Sequence, residues 1–167
     1  GVFLSEDGGV SWSPTGAEIA TRHARDIASV TGYGDLVWSF AGSTAGLFRS
    51  ADLGQNWDVA GLMGSDVSTI ALHPQYAAQP NVYAGTWSDI FGSQNGGLTW
   101  IRLNADTKMQ HVRDLAVTLD DSGEDVLFAA TEGGVWRYGG EPETPAPYPD
   151  PKRLRLPLVF QRGSLPR

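Results

Sequence analysis

Two copies of the pattern His-x-Arg-Asp, 88 residues apart, are the residues of this sequence best suited to contact a ligand. Arginine side chains that converge on one place can clamp a carboxylate or a phosphate through paired N–H donors. The alternative is that each arginine forms an ion pair with an aspartate of a neighbouring repeat, which would make the pattern structural. The two copies comprise His23, Arg25, Asp26, His111, Arg113 and Asp114.

Two further stretches carry side chains that could meet a ligand. Trp87 falls in a predicted loop, where an exposed indole could stack on a sugar or on a partner protein, or could pack against its own loop. Another loop is acidic and could hold a cation or form a solvated turn. Its acidic residues are Asp120, Asp121, Glu124 and Asp125.

The sequence contains no pattern of residues that predicts a catalytic centre. The absence of cysteine excludes disulfides, cysteine zinc sites and thiol catalysis. The three histidines lack the close spacing of metal ligands, and His73, which precedes Pro74, is expected to end a strand. No serine lies in a nucleophile-elbow motif. We therefore predict no catalytic residue, no metal site and no cofactor.

An eight-residue pattern, Ser-x-Asp-x-Gly-x-x-Trp, recurs three times and organises the rest of the chain. A short Asp or Asn side chain accepts hydrogen bonds from nearby backbone N–H groups while Gly adopts a positive φ, so the pattern predicts a tight turn between two strands. The Trp would begin the next strand and cover the turn. Asn replaces Asp in the third copy, which favours hydrogen bonding over metal binding. The residues are Ser5, Asp7, Gly9 and Trp12; Ser50, Asp52, Gly54 and Trp57; and Ser93, Asn95, Gly97 and Trp100.

This pattern resembles the Asp-box of bacterial neuraminidase-type (BNR) repeats, which occur in sialidases, sortilin-like receptors, xyloglucanases and photosystem II assembly factors. The related repeats cover roughly residues 1–138. The resemblance implies a β-propeller in which the box is a structural turn, usually away from the active site. It also implies that the chain is a fragment of a larger exported bacterial propeller.

The spacing of hydrophobic residues indicates the same architecture. Ile27, Ile70 and Leu115 are separated by 43 and 45 residues, and a period in the forties with four short strands per unit is typical of a propeller blade. We predict an all-β partial propeller with two complete antiparallel blades and two partial ones. The predicted strands are 1–5 and one from 12; 26–30, 36–42, 46–50 and 57–60; 69–72, 82–86, 90–93 and 100–103; and 114–118, 126–131 and 135–138.

Composition divides the 167 residues into a propeller fragment (1–138), a proline-rich linker (139–151) and a basic tail (152–167). The formal charge is −7, yet five of the 12 basic residues lie in the tail, so the propeller itself is strongly acidic. This charge argues against binding to nucleic acid, which needs a cationic surface. The sequence has no apolar run long enough for a transmembrane segment.

Loops of an antiparallel meander alternate between two faces of the blade. The starts of the inner strands and the loops between second and third strands therefore share one face, opposite the repeated turns. We call it the arginine face, and it is defined by His23, Arg25, Trp87, His111 and Arg113.

Two classes of function fit these observations. The first is a non-catalytic scaffold, outside the bacterial cell or on its surface, that binds a protein or a glycan through the arginine face and adjoins missing blades of its parent chain. The second is a fragment of a glycoside hydrolase, as the resemblance allows. The resemblance to sialidases implies three clamping arginines with a Tyr–Glu pair, of which only Arg25 and Arg113 can be placed. The resemblance to xyloglucanases implies two aspartates across a cleft, which Asp26 and Asp114 could not supply alone. The sequence favours the scaffold.

Overall fold

The computed structural model describes residues 1–104, 109 and 111–139, and the backbone of residues 159–161. Short β-strands make up about half of these residues. The elements are β1 (Phe3–Leu4), β2 (Ser13–Pro14), α1 (Ala17–Ala20), β3 (Ala24–Thr31), a 3-10 turn (Tyr33–Asp35), β4 (Val37–Ser43), β5 (Gly46–Ser50), β6 (Asp58–Gly61), β7 (Val67–Leu72), β8 (Val82–Thr86), β9 (Ile90–Ser93), β10 (Ile101–Arg102), β11 (Val112–Leu119), β12 (Asp125–Thr131), β13 (Gly134–Tyr138) and β14 (Val159–Gln161).

These strands form four separate sheets, which we call blades 1 to 4. Blade 1 is the pair β1–β2, blade 2 has the order β3-β4-β5-β6, blade 3 has β7-β8-β9-β10, and blade 4 has β11-β12-β13-β14. All pairings are antiparallel except that of β13 with β14, which is parallel. The prediction of an all-β partial propeller is confirmed, and the sheets close no barrel within the part of the chain that the structure describes.

Burial along the strands follows their position in the blade. The innermost strands β3, β7 and β11 lie beside one another in adjacent blades. All five residues of β8 are buried, because a strand inside a blade is covered on both faces by neighbouring blades. In β3, by contrast, exposed and partly buried residues alternate, because only one face of this strand is covered.

Besides the 3-10 turn, two elements have no counterpart in the predicted strand pattern. The short helix α1 connects blade 1 to blade 2 and buries Ile19 completely. The strand β14 lies in the segment predicted to be a basic tail and pairs with β13 through residues 159–161. The rest of the tail, and the predicted linker after Gly139, lie outside the described residues.

The three repeated patterns form turns with one geometry. In each turn the Ser side chain accepts the backbone N–H of the Gly, and the Asp or Asn side chain accepts the backbone N–H four residues further on. In the second turn these distances are both 2.9 Å, to Ser50 and Asp52, and in the third they are again both 2.9 Å, to Ser93 and Asn95. Neutral Asn95 thus fills the place of a carboxylate.

The tryptophans that close these turns have two different environments. Trp57 donates from Nε1 to Thr15 Oγ1 of blade 1 at 3.0 Å, and Trp100 donates to the carbonyl oxygen of Ala60 in blade 2 at 2.7 Å. Each indole therefore packs on the blade that precedes it in the chain. Trp12 has no described blade in the equivalent place and is 62% exposed.

The hydrophobic core consists of three clusters at the junctions between blades. The junction of blades 1 and 2 contains Ile19, Ala41, Phe48 and Trp57. The other two clusters fill the junctions between blades 2 and 3 and between blades 3 and 4. The blades are stabilised mainly by one another, because a thin antiparallel sheet has no interior of its own.

Candidate binding surface

A β-bulge places each arginine of the His-x-Arg-Asp pattern. The pairing of β3 with β4 shifts register between Ala24 and Asp26, and that of β11 with β12 shifts between Val112 and Asp114. The extra residue at each shift is the arginine. A bulge bends the strand and redirects a side chain, and both arginines are accordingly exposed.

Arg25 forms a two-point ion pair with a residue of the next blade. Its Nε and Nη2 atoms donate to the two carboxylate oxygens of Asp66 at 3.1 and 2.9 Å. About half of each side chain is exposed, at 49% and 44%. Asp66 is the blade-3 equivalent of His23, whose side chain is exposed.

Asp26 and its equivalents join neighbouring inner strands. One carboxylate oxygen of Asp26 accepts the backbone N–H of Ile70 in the next blade at 2.7 Å. The blade-3 equivalent, Thr69, accepts the N–H of Leu115 at 3.2 Å. Asp114 accepts from the Leu115 N–H at 2.9 Å and from the Thr69 hydroxyl at 3.3 Å. These side chains are engaged with backbone and with one another across blade junctions.

The second arginine belongs to a cluster around Glu132. One oxygen of Glu132 accepts from Arg113 Nη2 at 2.5 Å and lies 3.3 Å from His111 Nδ1. The hydrogen bond from Arg113 lowers the pKa of Glu132, and the contact with His111 lowers this pKa further. Glu132 is therefore a carboxylate at neutral pH and aims the imidazole of His111. The sequence places Glu132 in the β12–β13 loop on the arginine face, but its two partners could not be predicted from spacing.

Trp87 rests on this cluster and remains accessible. Its ring stacks on the ring of His111, with 4.0 Å between centroids and 28° between planes. The Trp87 side chain is nevertheless 65% exposed. His111 has a positive φ of 44°, a conformation that is unfavourable for a residue with a side chain. The surrounding contacts thus hold Trp87 on a neighbouring blade rather than against its own loop.

The structure divides predicted residues of the arginine face into two groups, and each group includes a carboxylate that was not predicted as a site residue. Trp87, His111, Arg113 and Glu132 form one group, which we call the Trp87 platform. Arg25 and Asp66 form the other. Both arginines are neutralised by adjacent carboxylates.

A buried polar cluster at the junction of blades 3 and 4 was not predicted. Asp125 is placed by sequence in the acidic loop, but its side chain is only 4% exposed. Its carboxylate accepts from Asn81 Nδ2 at 2.7 Å and from the Tyr83 hydroxyl, and lies 2.9 Å from His73 Nε2. The expectation of a solvated turn or cation site is thus wrong for Asp125, because blade 3 covers it.

The rest of the acidic loop forms a local turn. Asp120 accepts from the backbone N–H groups of Ser122 and Glu124, each at 2.9 Å, and from the Ser122 hydroxyl at 2.7 Å. No group of three or more His, Asp or Glu side chains suitable for a metal ion occurs among the described residues. Over the same residues, no helix is long and apolar enough to cross a membrane.

Comparison with known proteins gives a distant similarity to a xyloglucanase. No family model matches the chain. Two curated sequences of Xyloglucanase Xgh74A from Acetivibrio thermocellus are each 30% identical to it. The alignment is 167 residues long and covers 94% of this chain. The same alignment spans only 19% of the length of these relatives.

Proposed function

We propose that this chain is a non-catalytic propeller segment that binds a glycan through the Trp87 platform. The observation that carries the proposal is an indole that is 65% exposed yet held in place by the ring of His111. A flat aromatic face suits the apolar face of a sugar ring. An exposed tryptophan fixed in advance also loses less conformational entropy when a ligand binds.

The charges around the platform favour a neutral glycan. Arg113 is paired with Glu132, Arg25 with Asp66, and Arg102 with Asp89 at 2.6 Å. An acidic sugar would have to displace one of these carboxylates, whereas hydroxyl groups can bond to the pairs as they stand. The similarity to a xyloglucanase supports a glycan as the ligand in preference to a protein.

A second candidate is that the chain forms part of a glycoside hydrolase. The observation in its favour is the 30% identity to a xyloglucanase. Hydrolysis needs two carboxyl groups on either side of the scissile bond. Near the platform, Glu132 and Asp89 are in ion pairs, and Asp26 and Asp114 bond to backbone. A hydrolytic site would therefore need carboxylates from elsewhere in a larger protein.

The three repeated turns support the assignment of this chain to the Asp-box repeat proteins. Their Ser, Asp or Asn, and Gly residues are engaged in local hydrogen bonds, and the tryptophans of the second and third turns are engaged in packing. We assign these residues a structural role only. A position outside the bacterial cell or on its surface fits a glycan ligand.

The experiment is a binding titration with xyloglucan oligosaccharides, cello-oligosaccharides and an acidic polyuronate, together with an assay for released reducing ends. We expect binding of a neutral oligosaccharide, no turnover, and about a tenfold or greater loss of affinity in Trp87→Ala, which corresponds to about 1.4 kcal/mol. Trp12→Ala is the matched control, because it removes an exposed tryptophan elsewhere. Unchanged affinity in Trp87→Ala would refute the platform, and turnover would favour the hydrolase.

A further inference from the structure

The junction of blades 1 and 2 shows how one repeat unit covers the next. Phe48 and Trp57 of blade 2 are 1% and 4% exposed. They pack against Ile19 of helix α1, and Trp57 Nε1 donates to Thr15 Oγ1. The backbone of Gly16 passes so close that a Cβ atom there would lie 2.7 Å from the Trp57 ring.

Blade 1 presents the same pair of aromatic residues, and none of the residues that the structure describes covers them. Phe3 and Trp12 precede Phe48 and Trp57 by 45 residues each, and they are 55% and 62% exposed. The turn between them is fully formed, since Ser5 and Asp7 accept the expected backbone N–H groups at 2.7 and 2.9 Å. Their exposure therefore does not result from a missing local structure.

We infer that the face of blade 1 formed by Phe3 and Trp12 is a docking surface for another repeat unit of this same type. The argument is continuity with the two junctions that are already formed. In both, a tryptophan donates to an oxygen and lies against a glycine, Gly16 for Trp57 and Gly61 for Trp100. Each of these glycines follows the turn tryptophan of its own unit by four residues.

The chemistry of the occupant follows from these contacts. It must offer a hydrogen-bond acceptor next to a glycine, so that the Trp12 ring can approach the backbone. It must also carry an apolar residue in the place of Ile19 to cover Phe3. The segment that covers Phe48 and Trp57 meets all three requirements through Thr15, Gly16 and Ile19, whereas a sugar would leave most of the apolar surface of Phe3 in water.

The test is a fusion in which a copy of residues 1–45 precedes Gly1 of the full chain. Gly1 and Gly46 are 45 residues apart, so the copied strands β3 and β4 continue into β1 and β2 as a complete blade. Residue-level oxidation by hydroxyl radicals, read by mass spectrometry, reports the exposure of Trp12. We expect most of its oxidation to be lost, down to the level of Trp57.

The matched control is the same fusion with Gly16→Val in the added copy only. The added side chain would strike the Trp12 ring, so the oxidation of Trp12 should remain as high as in the natural chain. Trp12→Ala should also lower the urea midpoint of the fusion by more than it lowers that of the natural chain. Equal oxidation of Trp12 in fusion, control and natural chain would overturn the inference.

A second measurement does not depend on folding of the fusion. The natural chain is titrated with a synthetic peptide that copies residues 13–20, the segment that covers Phe48 and Trp57. We expect saturable protection of Trp12 that is absent when the peptide carries Gly16→Val. If sedimentation instead shows that the chain dimerises and that Trp12→Ala abolishes the dimer, the occupant is a second copy and the inference is wrong.

Discussion

The junction between blades 2 and 3 and the junction between blades 3 and 4 are sealed by different chemistry. In the first, Trp100 lies on Ala60 and Gly61, and Phe40 meets the ring of Tyr76 edge-on with 6.1 Å between centroids. In the second, Asp125 gathers three polar side chains. The first junction is mainly aromatic and the second includes a buried network.

The residues at equivalent positions explain the difference. Phe40 in the first junction corresponds to Tyr83 in the second, 43 residues later. A buried tyrosine hydroxyl requires a hydrogen-bond partner, and Asp125 provides it. Burial and the adjacent carboxylate raise the pKa of Tyr83, so its proton stays in place and donates.

The histidine of the network has a defined tautomer. His73 Nδ1 accepts the backbone N–H of Gln75 at 2.9 Å, so Nε2 carries the hydrogen that faces Asp125. The carboxylate accepts hydrogen bonds from Asn81 and Tyr83 and lies 2.9 Å from His73 Nε2, and these contacts offset the cost of burying its charge. The comparison teaches that the repeat preserves the spacing of its blades while the contacts that fill a junction are free to vary.

The largest expected effect that tests this comparison is the loss of Asp125. Asp125→Ala leaves the buried donors of Asn81 and Tyr83 without an acceptor and removes the carboxylate beside His73. We expect it to lower the free energy of unfolding by about 3–5 kcal/mol. Urea denaturation measures the change. Asp121→Ala in the same loop is the control, since Asp121 is exposed and should change stability by less than about 0.5 kcal/mol. Equal stability of the two variants would show that the network does not stabilise the junction.

Trp100→Ala tests the aromatic junction. It removes a large packed ring and the donor to Ala60, and we expect a loss of about 3 kcal/mol. The same substitution at Trp12, which has no described cover, should cost less than about 1 kcal/mol. Urea midpoints of the two variants, compared with the natural chain, show whether a turn tryptophan stabilises the protein only when it packs on the preceding blade.

Tyr83→Phe should lower the free energy of unfolding by less than Asp125→Ala or Trp100→Ala does. The substitution gives blade 3 the residue that blade 2 has at the equivalent position, Phe40. Asp125 retains its contacts with His73 and Asn81. Loss of one hydrogen bond to a buried carboxylate predicts about 1–2 kcal/mol of destabilisation. Phe40→Tyr is the reciprocal variant, and it places a hydroxyl where no equivalent acid is predicted. A stabilised Tyr83→Phe protein would contradict the network as described.

The smallest expected effect is on the stability of the protein at acidic pH. Hydrogen bonds from Asn56 and Ser50 lower the pKa of Asp52 to about 2. The pKa of Asp52 is lower in the folded protein than in the unfolded chain, so its ionised carboxylate stabilises the folded state. This contribution to the free energy of unfolding is complete above about pH 4 and is lost as pH falls from about 4 to 2. Asp52→Asn should reduce this acid-dependent loss of stability, as measured by urea midpoints across this range. Asn95 already makes the third turn independent of pH, and Asn95→Asp should add a loss in the same range.

The sequence was sufficient to predict the blades, because glycine turns and hydrophobic spacing act locally and repeat. The strands 46–50, 82–86 and 90–93 have the predicted bounds. Arg25 pairs with an aspartate of a neighbouring blade, Asp66, as the structural alternative for the His-x-Arg-Asp pattern predicted. Arg113 instead pairs with Glu132 of its own blade, and this partner could not be predicted, because it depends on a bulge that changes the direction of one residue in a strand. The place of Asp125 depends on contacts with a strand about forty residues earlier in the chain, and no local pattern distinguishes it from the exposed acids beside it.

The direction in which the turn tryptophans pack has a consequence for synthesis on the ribosome. Trp57 and Trp100 each lie on the blade that precedes them in the chain. Chains emerge from the amino end, and their domains generally fold in that order. Each indole therefore finds its partner already made when it leaves the ribosome, and its apolar surface need not wait in water for sequence still to be translated.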